Sequence, residues 1–305
     1  MVFHSRLAPT PSGYLHLGNA FSFLLTWLLV RRSRGKLLLR IDDLDAERKR
    51  PEYVADIFES LSWLGITYDE GPLNPDDFEQ HWSQRLRVNK YNETLHALHK
   101  TGKVFACSCT RSQLANLSPG SRYPDICLPK NLPFDQPDTA ERFHIPESPD
   151  VTFTDSALGK ISVPLGRRTG SFVIRRRDGI PAYHVASLTD DRDFGINFIV
   201  RGSDLIPSTA AQIVLADALG WTDFRNNVFI HHPLLTDSDG NKLSKSEGAL
   251  ALKTMRNEGA KPKDIYRKFA ISVGLPETGA ETMEELLESF GDFDPAEKFK
   301  MPNLK

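Results

Sequence analysis

Three short stretches of the chain hold residue types that could do chemistry. The first is Pro9-Thr10-Pro11-Ser12-Gly13-Tyr14-Leu15-His16-Leu17-Gly18-Asn19. Glycines let a nucleotide approach the backbone, a helix N-terminus offers free N–H groups and a positive dipole end to phosphate, and His16 adds a donor. The second stretch lies far along the chain, in Asp239-Gly240-Asn241-Lys242-Leu243-Ser244-Lys245-Ser246-Glu247-Gly248. Its two lysines and serine hydroxyls suit the negative charge that develops on a triphosphate under attack. The third is Cys107-Ser108-Cys109, followed by Tyr123 and Cys127, which holds all 3 cysteines of the chain. Gathered thiols of this kind suit a tetrahedral zinc ion, with the fourth position open to the Tyr123 phenolate or the Asp125 carboxylate. Taken singly, the first two stretches also read as polar turns, and the third as reduced cysteines packed in a loop.

The elements that must position these residues follow from hydrophobic periodicity. Phe3 to Ala8 reads as a strand broken by the Pro- and Gly-containing turn. Phe21, Leu24, Leu25, Leu28 and Leu29 then form the stripe of an amphipathic helix, closed by Arg31, Arg32 and Arg34 where cations suit the dipole. Lys36 to Ile41 is a second strand, so the opening is a βαβ unit with ligands at the C-terminal ends of its strands. Helices are expected from Glu52 to Leu64 and from Arg85 to Leu98, the latter with Leu86, Leu95 and Leu98 on its apolar face. From Phe105 to Pro164 the chain is proline-rich and is expected to hold little regular structure. The βα alternation resumes with strands at Phe172–Ile174, Phe198–Val200 and Val228–Ile230 and a helix from Ser208 to Leu219; the remainder from Leu250 reads as helical.

The 305 residues carry 38 Lys+Arg against 40 Asp+Glu, so a globally basic nucleic-acid binder is excluded, although local basic faces are not. Their 40% of hydrophobic residues suffices for a sizeable core, and 3 cysteines cannot build a disulfide framework. No apolar run is long enough for a membrane span, and no secretory signal opens the chain. A soluble, cytoplasmic α/β protein is expected. Its core is a Rossmann-type doubly wound parallel sheet with an inserted zinc-binding subdomain and a short C-terminal helical unit. The boundaries are 1–104 for the first half of the catalytic domain, 105–164 for the insertion, 165–249 for the second half and 250–305 for the helical unit.

The first two stretches together resemble the paired signatures of class I aminoacyl-tRNA synthetases, HIGH and KMSKS, here His16-Leu17-Gly18-Asn19 and Lys242-Leu243-Ser244-Lys245-Ser246. Arg6 to Gly13, Leu39-Arg40-Ile41-Asp42-Asp43, Leu64-Gly65-Ile66 with Asp69-Glu70-Gly71-Pro72, and Asp178-Gly179-Ile180-Pro181-Ala182-Tyr183 look like the glutamate-activating branch. The resemblance covers most of the chain up to about Gly248. It implies ATP with Mg²⁺, formation of glutamyl adenylate and release of pyrophosphate. His16 and Lys245 would stabilise the transition state, with Gly18, Asn19, Lys242, Leu243 and Ser244 also at the ATP. Asn19 replaces the signature's last histidine and Asp42 stands where glutamyl enzymes commonly carry glutamate.

A glutamate pocket needs a cation for the side-chain carboxylate and an anion for the ammonium group. Arg6 and Arg201 are the candidate cations, Asp42 the anion, and Tyr183 a pocket tyrosine, with Ala8, Pro9 and Thr10 beside them. An alternative for Arg201 is a salt bridge to Asp204. The cysteine stretch, with Tyr123 to Cys127, is similar to the zinc ligands of the short relatives of glutamyl-tRNA synthetase, and Arg201-Gly202-Ser203-Asp204-Leu205 is close to their R-G-A-D-L. The tract after the Lys242–Ser246 loop reads as too short for an anticodon-binding domain. These features resemble the glutamyl-queuosine tRNA(Asp) synthetase group, whose members act on L-glutamate, ATP and tRNA(Asp) carrying queuosine; a monomer is expected. Basic side chains at Arg31, Arg32 and Arg34, at Arg167-Arg168 and at Arg175-Arg176-Arg177 could meet RNA phosphates. The rival readings are a truncated glutamyl-tRNA synthetase charging tRNA(Glu), a nucleotidylyltransferase and a non-catalytic RNA-binding paralogue. On the leading reading, Lys245→Ala leaves glutamate binding nearly intact while glutamate-dependent pyrophosphate exchange collapses; normal exchange in that variant would reject the role of Lys245.

Overall fold

The computed structural model describes residues 2–117, 122–234, 251–275, 280–291 and 293–299. Its centre is built from two parallel strand pairs. Strand β1 (His4–Leu7) pairs with β2 (Lys36–Leu39), and the helix Leu17–Arg32 makes the crossover between them. The strands expected at Phe198–Val200 and Val228–Ile230 form the second pair, named β8 (Phe198–Gly202) and β9 (Val228–His232) below. The two pairs meet where the Asn197 backbone N–H donates to the His4 carbonyl at 3.0 Å and the Asn197 side chain accepts from the His4 N–H at 2.8 Å.

Alternation along these strands covers both faces of the sheet. Leu37, Leu39, Phe198 and Val200 pack with Leu24 and Leu28 of the first helix, whereas Leu38, Ile199 and Phe229 pack with Leu188 and Ile213. The latter two belong to the helices Tyr183–Asp193 and Ile206–Ala218. Side chains at successive strand positions point to opposite faces, so helices on both sides are needed to bury such continuous apolar strands. The first helix departs from the amphipathic expectation. Every residue from Ala20 to Val30 except Ser22 is buried, because strands and C-terminal helices enclose it on most of its circumference.

The segment expected to be irregular is instead built from antiparallel strands. Strand β3 (Val104–Cys107) pairs with β4 (Ala140–Phe143), and β4 with β7 (Phe172–Arg175). Between them, β5 (Val151–Asp155) and β6 (Gly159–Val163) form a hairpin. The strand at Phe172 therefore belongs to this antiparallel sheet and does not resume the parallel core. Prolines concentrate in its connections, where no ladder N–H is needed. The region expected as one helix from Arg85 begins as a single tight turn, Gln84–Arg87, before the helix Val88–His99, and Leu86 is 57% exposed rather than part of the apolar face. After residue 250 the described chain is helical, with Pro262–Ser272 and Met283–Phe290 packing Phe269 and Phe290 against the first helix's cluster. Among the described residues no helix is long and apolar enough to cross a membrane.

The hairpin β5–β6 is fastened to β9 by a fully buried carboxylate. Asp155 accepts from the backbone N–H groups of Ala157 and Leu158 at 2.9 Å each, from the His231 N–H at 3.0 Å, and from His231 Nδ1 at 2.7 Å. The other ring nitrogen of His231 lies 2.7 Å from the Thr209 hydroxyl. Burial lowers the His231 pKa despite Asp155, so the ring is neutral in the fold at pH 7. The unfolded chain then binds the extra proton first as pH falls below about 6.5, and stability declines from that point downward. Asp155→Ala strands these donors in the core and is expected to cost roughly 3–5 kcal/mol, read as a lowered urea midpoint at pH 7.

Candidate active site

His16 caps the first helix, and its neighbours explain the local sequence. The Asn19 side-chain oxygen accepts the His16 backbone N–H at 3.0 Å, closing the first turn. With its oxygen committed, the Asn19 amide keeps its NH₂ for another partner, whereas a histidine there could not make this contact through a carbonyl. Gly18 lies under the imidazole: a Cβ at this position would stand 2.9 Å from His16 Cε1. The helix N-terminus thus opens unobstructed onto a cleft of about 290 Å³.

That cleft collects residues from both halves of the chain. Arg6, Ala8, His16, Gly18, Asn19, Tyr183 and Arg201 all line it, together with Asp204 and His232. Arg6 and Ala8 come from the end of β1, Arg201 from the end of β8, and Tyr183 from the first turn of its helix. Pro9, Thr10 and Asp42 do not line it. Pro9 is buried and its carbonyl accepts the Asp42 N–H at 2.9 Å, while Thr10 faces solvent. Lys242, Leu243, Ser244 and Lys245 lie outside the described residues.

The chain on either side of that segment is tied to the first helix. Before it, His232 Nε2 lies 3.1 Å from the Ser22 hydroxyl. After it, the Leu252 N–H donates to the Leu15 carbonyl at 2.7 Å, and Ala251 forms a bridge with His16. Lys253 Nζ donates to the Tyr14 hydroxyl at 3.2 Å and lies 4.5 Å from that ring's centroid. The described chain before residue 235 and after residue 250 thus meets the first helix and the turn that precedes it.

Beneath the cleft runs a buried network of charges. Arg6 Nε donates to Asp191 Oδ1 at 3.0 Å, and Arg40 Nη1 donates to the same oxygen at 2.6 Å. Arg40 also grips Asp42 with two donors, at 2.7 and 3.2 Å, and donates to the Ser187 hydroxyl at 3.1 Å. Asp190 is held by Gln84 at 2.8 Å, Arg87 at 2.7 Å and the Tyr91 hydroxyl at 2.9 Å. Burial by itself would lower the Arg40 pKa, but Asp42, Asp191 and Asp190 outweigh it and keep the guanidinium charged. Burial pushes the Asp42 carboxyl up to about 6 against the pull of Arg40. Arg40 thus engages both oxygens of Asp42, and Gln84 Nε2 lies 3.3 Å from Oδ1.

Arg201 is arranged differently. Its Nη2 donates to Gln212 Oε1 at 2.9 Å, in place of the salt bridge to Asp204 considered from sequence. Its Nε and Nη1 are buried with no partner. Burial, and Arg6 nearby, lower its pKa to about 10, so it remains charged at neutral pH. A buried cation with two unpaired donors at the wall of a cleft is suited to a carboxylate.

Sequence reading passed over Asp190, Asp191, Arg40, Ser83, Gln84 and Gln212 as positioning residues. Three of them carried a legible signal. Arg40 is a charge in an apolar strand with Asp42 two residues on, and Asp190-Asp191 are adjacent carboxylates on a helix that otherwise packs against the core.

The cysteine cluster forms a second centre. The Sγ atoms of Cys107, Cys109 and Cys127 all lie within 4.8 Å of one another. Cys109 and Cys127 are 3.4 Å apart, and the Tyr123 hydroxyl lies 3.3 Å from Cys107 and 3.9 Å from Cys109. A tetrahedral zinc ion with thiolate and oxygen ligands requires edges of about 3.5–3.8 Å, so the donor set fits. Asp125, with a left-handed φ of 55°, is not part of the cluster. Tyr123 is pinned there by its backbone N–H to the Thr169 carbonyl at 2.9 Å, and the adjacent Gly170 must lack a Cβ, which would come within 2.5 Å of the Tyr123 carbonyl.

The basic clusters expected to meet RNA are largely engaged within the protein. Arg31 pairs with Asp69 at 2.7 Å, Arg32 donates to the Phe293 carbonyl, Arg167 pairs with Asp150 at 2.6 Å and Arg176 with Asp178 at 2.6 Å.

Comparison with known proteins agrees with this geometry. A family model described as tRNA synthetases class I (E and Q), catalytic domain, matches residues 2–303. A protein named glutamyl-Q tRNA(Asp) synthetase from Nitratidesulfovibrio vulgaris is 35% identical over 90% of this chain and 87% of its own length. One of the same name from Pseudomonas fluorescens is 39% identical over 84% of each. A glutamate–tRNA ligase from Coprothermobacter proteolyticus is 32% identical over 94% of this chain, which spans 62% of that protein. The crystal structure of a glutamate tRNA ligase from Elizabethkingia meningosepticum superposes with a TM-score of 0.76 at 24% identity, covering 99% of this chain and 66% of that one, and supports the fold. A guanidinium aimed into a cleft at the His16 helix, near-full-length similarity to short relatives and a family match across the chain converge: the chain belongs to the class I (E and Q) tRNA synthetase family, within the group of glutamyl-Q tRNA(Asp) synthetases.

Proposed function

We infer that the chain activates L-glutamate with ATP, without tRNA, and transfers the glutamyl group to the queuosine base at the wobble position of tRNA(Asp). The observation that carries this reading is Arg201, a buried guanidinium whose Nε and Nη1 have no protein partner and which lines the cleft at the start of the first helix. In a chain that aligns with glutamyl-Q tRNA(Asp) synthetases over most of their length, that vacancy suits the substrate's side-chain carboxylate.

The reaction needs no protein nucleophile. An oxygen of the substrate α-carboxylate forms a bond to the α-phosphorus of ATP, and the bond from that phosphorus to the bridging oxygen breaks as pyrophosphate leaves. Catalysis is then alignment and neutralisation of charge. The helix N-terminus and His16 donate toward the phosphates, and the Asn19 NH₂ is positioned by the contact of its oxygen with the backbone. Mg²⁺, when bound, would screen the phosphate charges. Lys245 and its neighbours retain the role implied by their signature.

Cys107, Cys109, Cys127 and Tyr123 would hold a structural zinc ion, the Tyr123 oxygen completing the tetrahedron. Burial and the neighbouring thiols raise the Tyr123 phenol well above its ordinary value, opposed by the Cys127 backbone N–H that donates to it at 3.2 Å, so it is the bound dication that would favour the phenolate form. Protein purified without chelator is expected to contain one zinc per chain, and Cys109→Ser to lose most of it; a metal-free wild-type protein with three titratable thiols would reject the site.

The decisive measurement is transfer of radiolabelled glutamate to total tRNA from cells with and without queuosine. Label is expected only on queuosine-containing tRNA. Undiminished labelling of queuosine-free tRNA would instead favour charging of an acceptor end.

A further inference from the structure

Three buried guanidiniums converge beneath the cleft, and they are anchored in two different ways. Arg6 and Arg40 are each held by a carboxylate, Asp191 for both and Asp42 as well for Arg40. Arg201, 4% exposed, is held by a neutral amide: its Nη2 donates to Gln212 Oε1 at 2.9 Å, and no salt bridge joins it to a described carboxylate. Gln212 is fully buried in the helix Ile206–Ala218, and its own Nε2 has no partner. The unsatisfied donors at this point are thus Arg201 Nε, Arg201 Nη1 and Gln212 Nε2, while the Tyr183 hydroxyl, a neutral group, also interacts with the guanidinium.

We propose that Gln212 is a positioning residue that fixes Arg201 without neutralising it, so that the guanidinium's full charge is reserved for a substrate side-chain carboxylate. The inference rests on the glutamate reading above and deepens it. A carboxylate in place of the amide would hold Arg201 at least as firmly, but it would occupy the guanidinium electrostatically and repel an incoming anion. The choice of amide therefore sets selectivity: glutamate brings the missing charge, whereas glutamine offers a neutral carbonyl and leaves the buried cation uncompensated. Arg6, already paired through Nε, contributes to the polarity of the wall but not an uncommitted charge.

The same logic explains why the pair sits where it does. Arg201 is on the last turn-facing part of β8, opposite His231 of β9 in register. His231 is neutral by burial and is turned toward Asp155 and Thr209, so it does not compete for the anion. Thr209 and Gln212, three residues apart, present one helix face to both strands.

The test is glutamate-dependent pyrophosphate exchange by the full-length protein, with KM and kcat measured separately for Gln212→Glu and Gln212→Met, and folding followed by thermal melting. Gln212→Glu keeps an oxygen acceptor for Arg201 Nη2 and is expected to melt within a few degrees of wild type. Its KM for glutamate should rise at least about 30-fold with kcat changed less than threefold, as expected when a buried charge is spent elsewhere. Gln212→Met retains volume and charge but loses the anchor, and should raise KM about 10-fold while narrowing the preference for glutamate over glutamine. A purely structural role would make Gln212→Glu indistinguishable from wild type, and that result overturns the proposal, as does a fall in kcat at constant KM in both variants. Should Gln212→Glu fail to fold, an unchanged glutamate KM and preference in Gln212→Met overturns it equally. Absence of glutamate-dependent exchange in the wild-type protein would instead bring down the glutamate reading itself.

Discussion

The Asp191 carboxylate is the constraint around which the rest is arranged. One oxygen serves both Arg6 from β1 and Arg40 from the end of β2, across separations of 185 and 151 residues. A buried charge left unpaired costs several kcal/mol, and Asp191 spares both Arg6 and Arg40 that cost. The two halves of the chain are therefore held in one relative position at the level of the cleft floor. Arg40 passes that constraint on to Asp42 and Ser187, and Asp190, the next residue, extends it through Gln84, Arg87 and Tyr91. The cleft inherits its shape from this floor: β1 and β8 end on either side of it, and the first helix points its N-terminus across the gap.

Much of this frame was legible in the residues, and what was missed has a physical explanation. Apolar runs such as Leu37-Leu38-Leu39 announce a strand covered on both faces, and the strand assignments of the parallel core follow. The cleft's wall could be read from Arg6, His16, Gly18, Tyr183 and Arg201. Periodicity misjudged the first helix because an apolar stripe marks the minimum that a helix buries, and here tertiary packing encloses nearly the whole circumference. It misjudged the segment after Phe105 because composition reports the proline-rich connections more loudly than the short strands between them. The partners of Arg6 and Arg201 were not legible, since no spacing rule links residues 6 and 191 or decides that a glutamine, not the nearby Asp204, approaches Arg201. Asp42 illustrates the same limit: its type suggested an anion, but not that Arg40, two positions earlier, would engage both of its oxygens.

The thiol cluster and the nucleotide cleft use opposite strategies with the same chemical vocabulary. In the cluster, three thiols and a phenol gather with no cation among them, a donor set that a bound dication would complete. The Arg142 guanidinium, 3.8 Å from the Tyr123 ring centroid, is the cation packed directly on that site. In the cleft, cations outnumber the carboxylates committed to them, and an anionic ligand restores the balance. Each centre is thus incomplete in charge by design of its neighbours rather than by solvent exposure.

Asp155 bears on how the molecule can be taken apart. The hairpin that carries it is inserted in sequence between the two halves of the parallel core, yet its carboxylate is sealed against β9, one strand away from Arg201. The insertion is consequently not a detachable module. Excising it at the sequence boundaries would remove the acceptor that both His231 donors of β9 require.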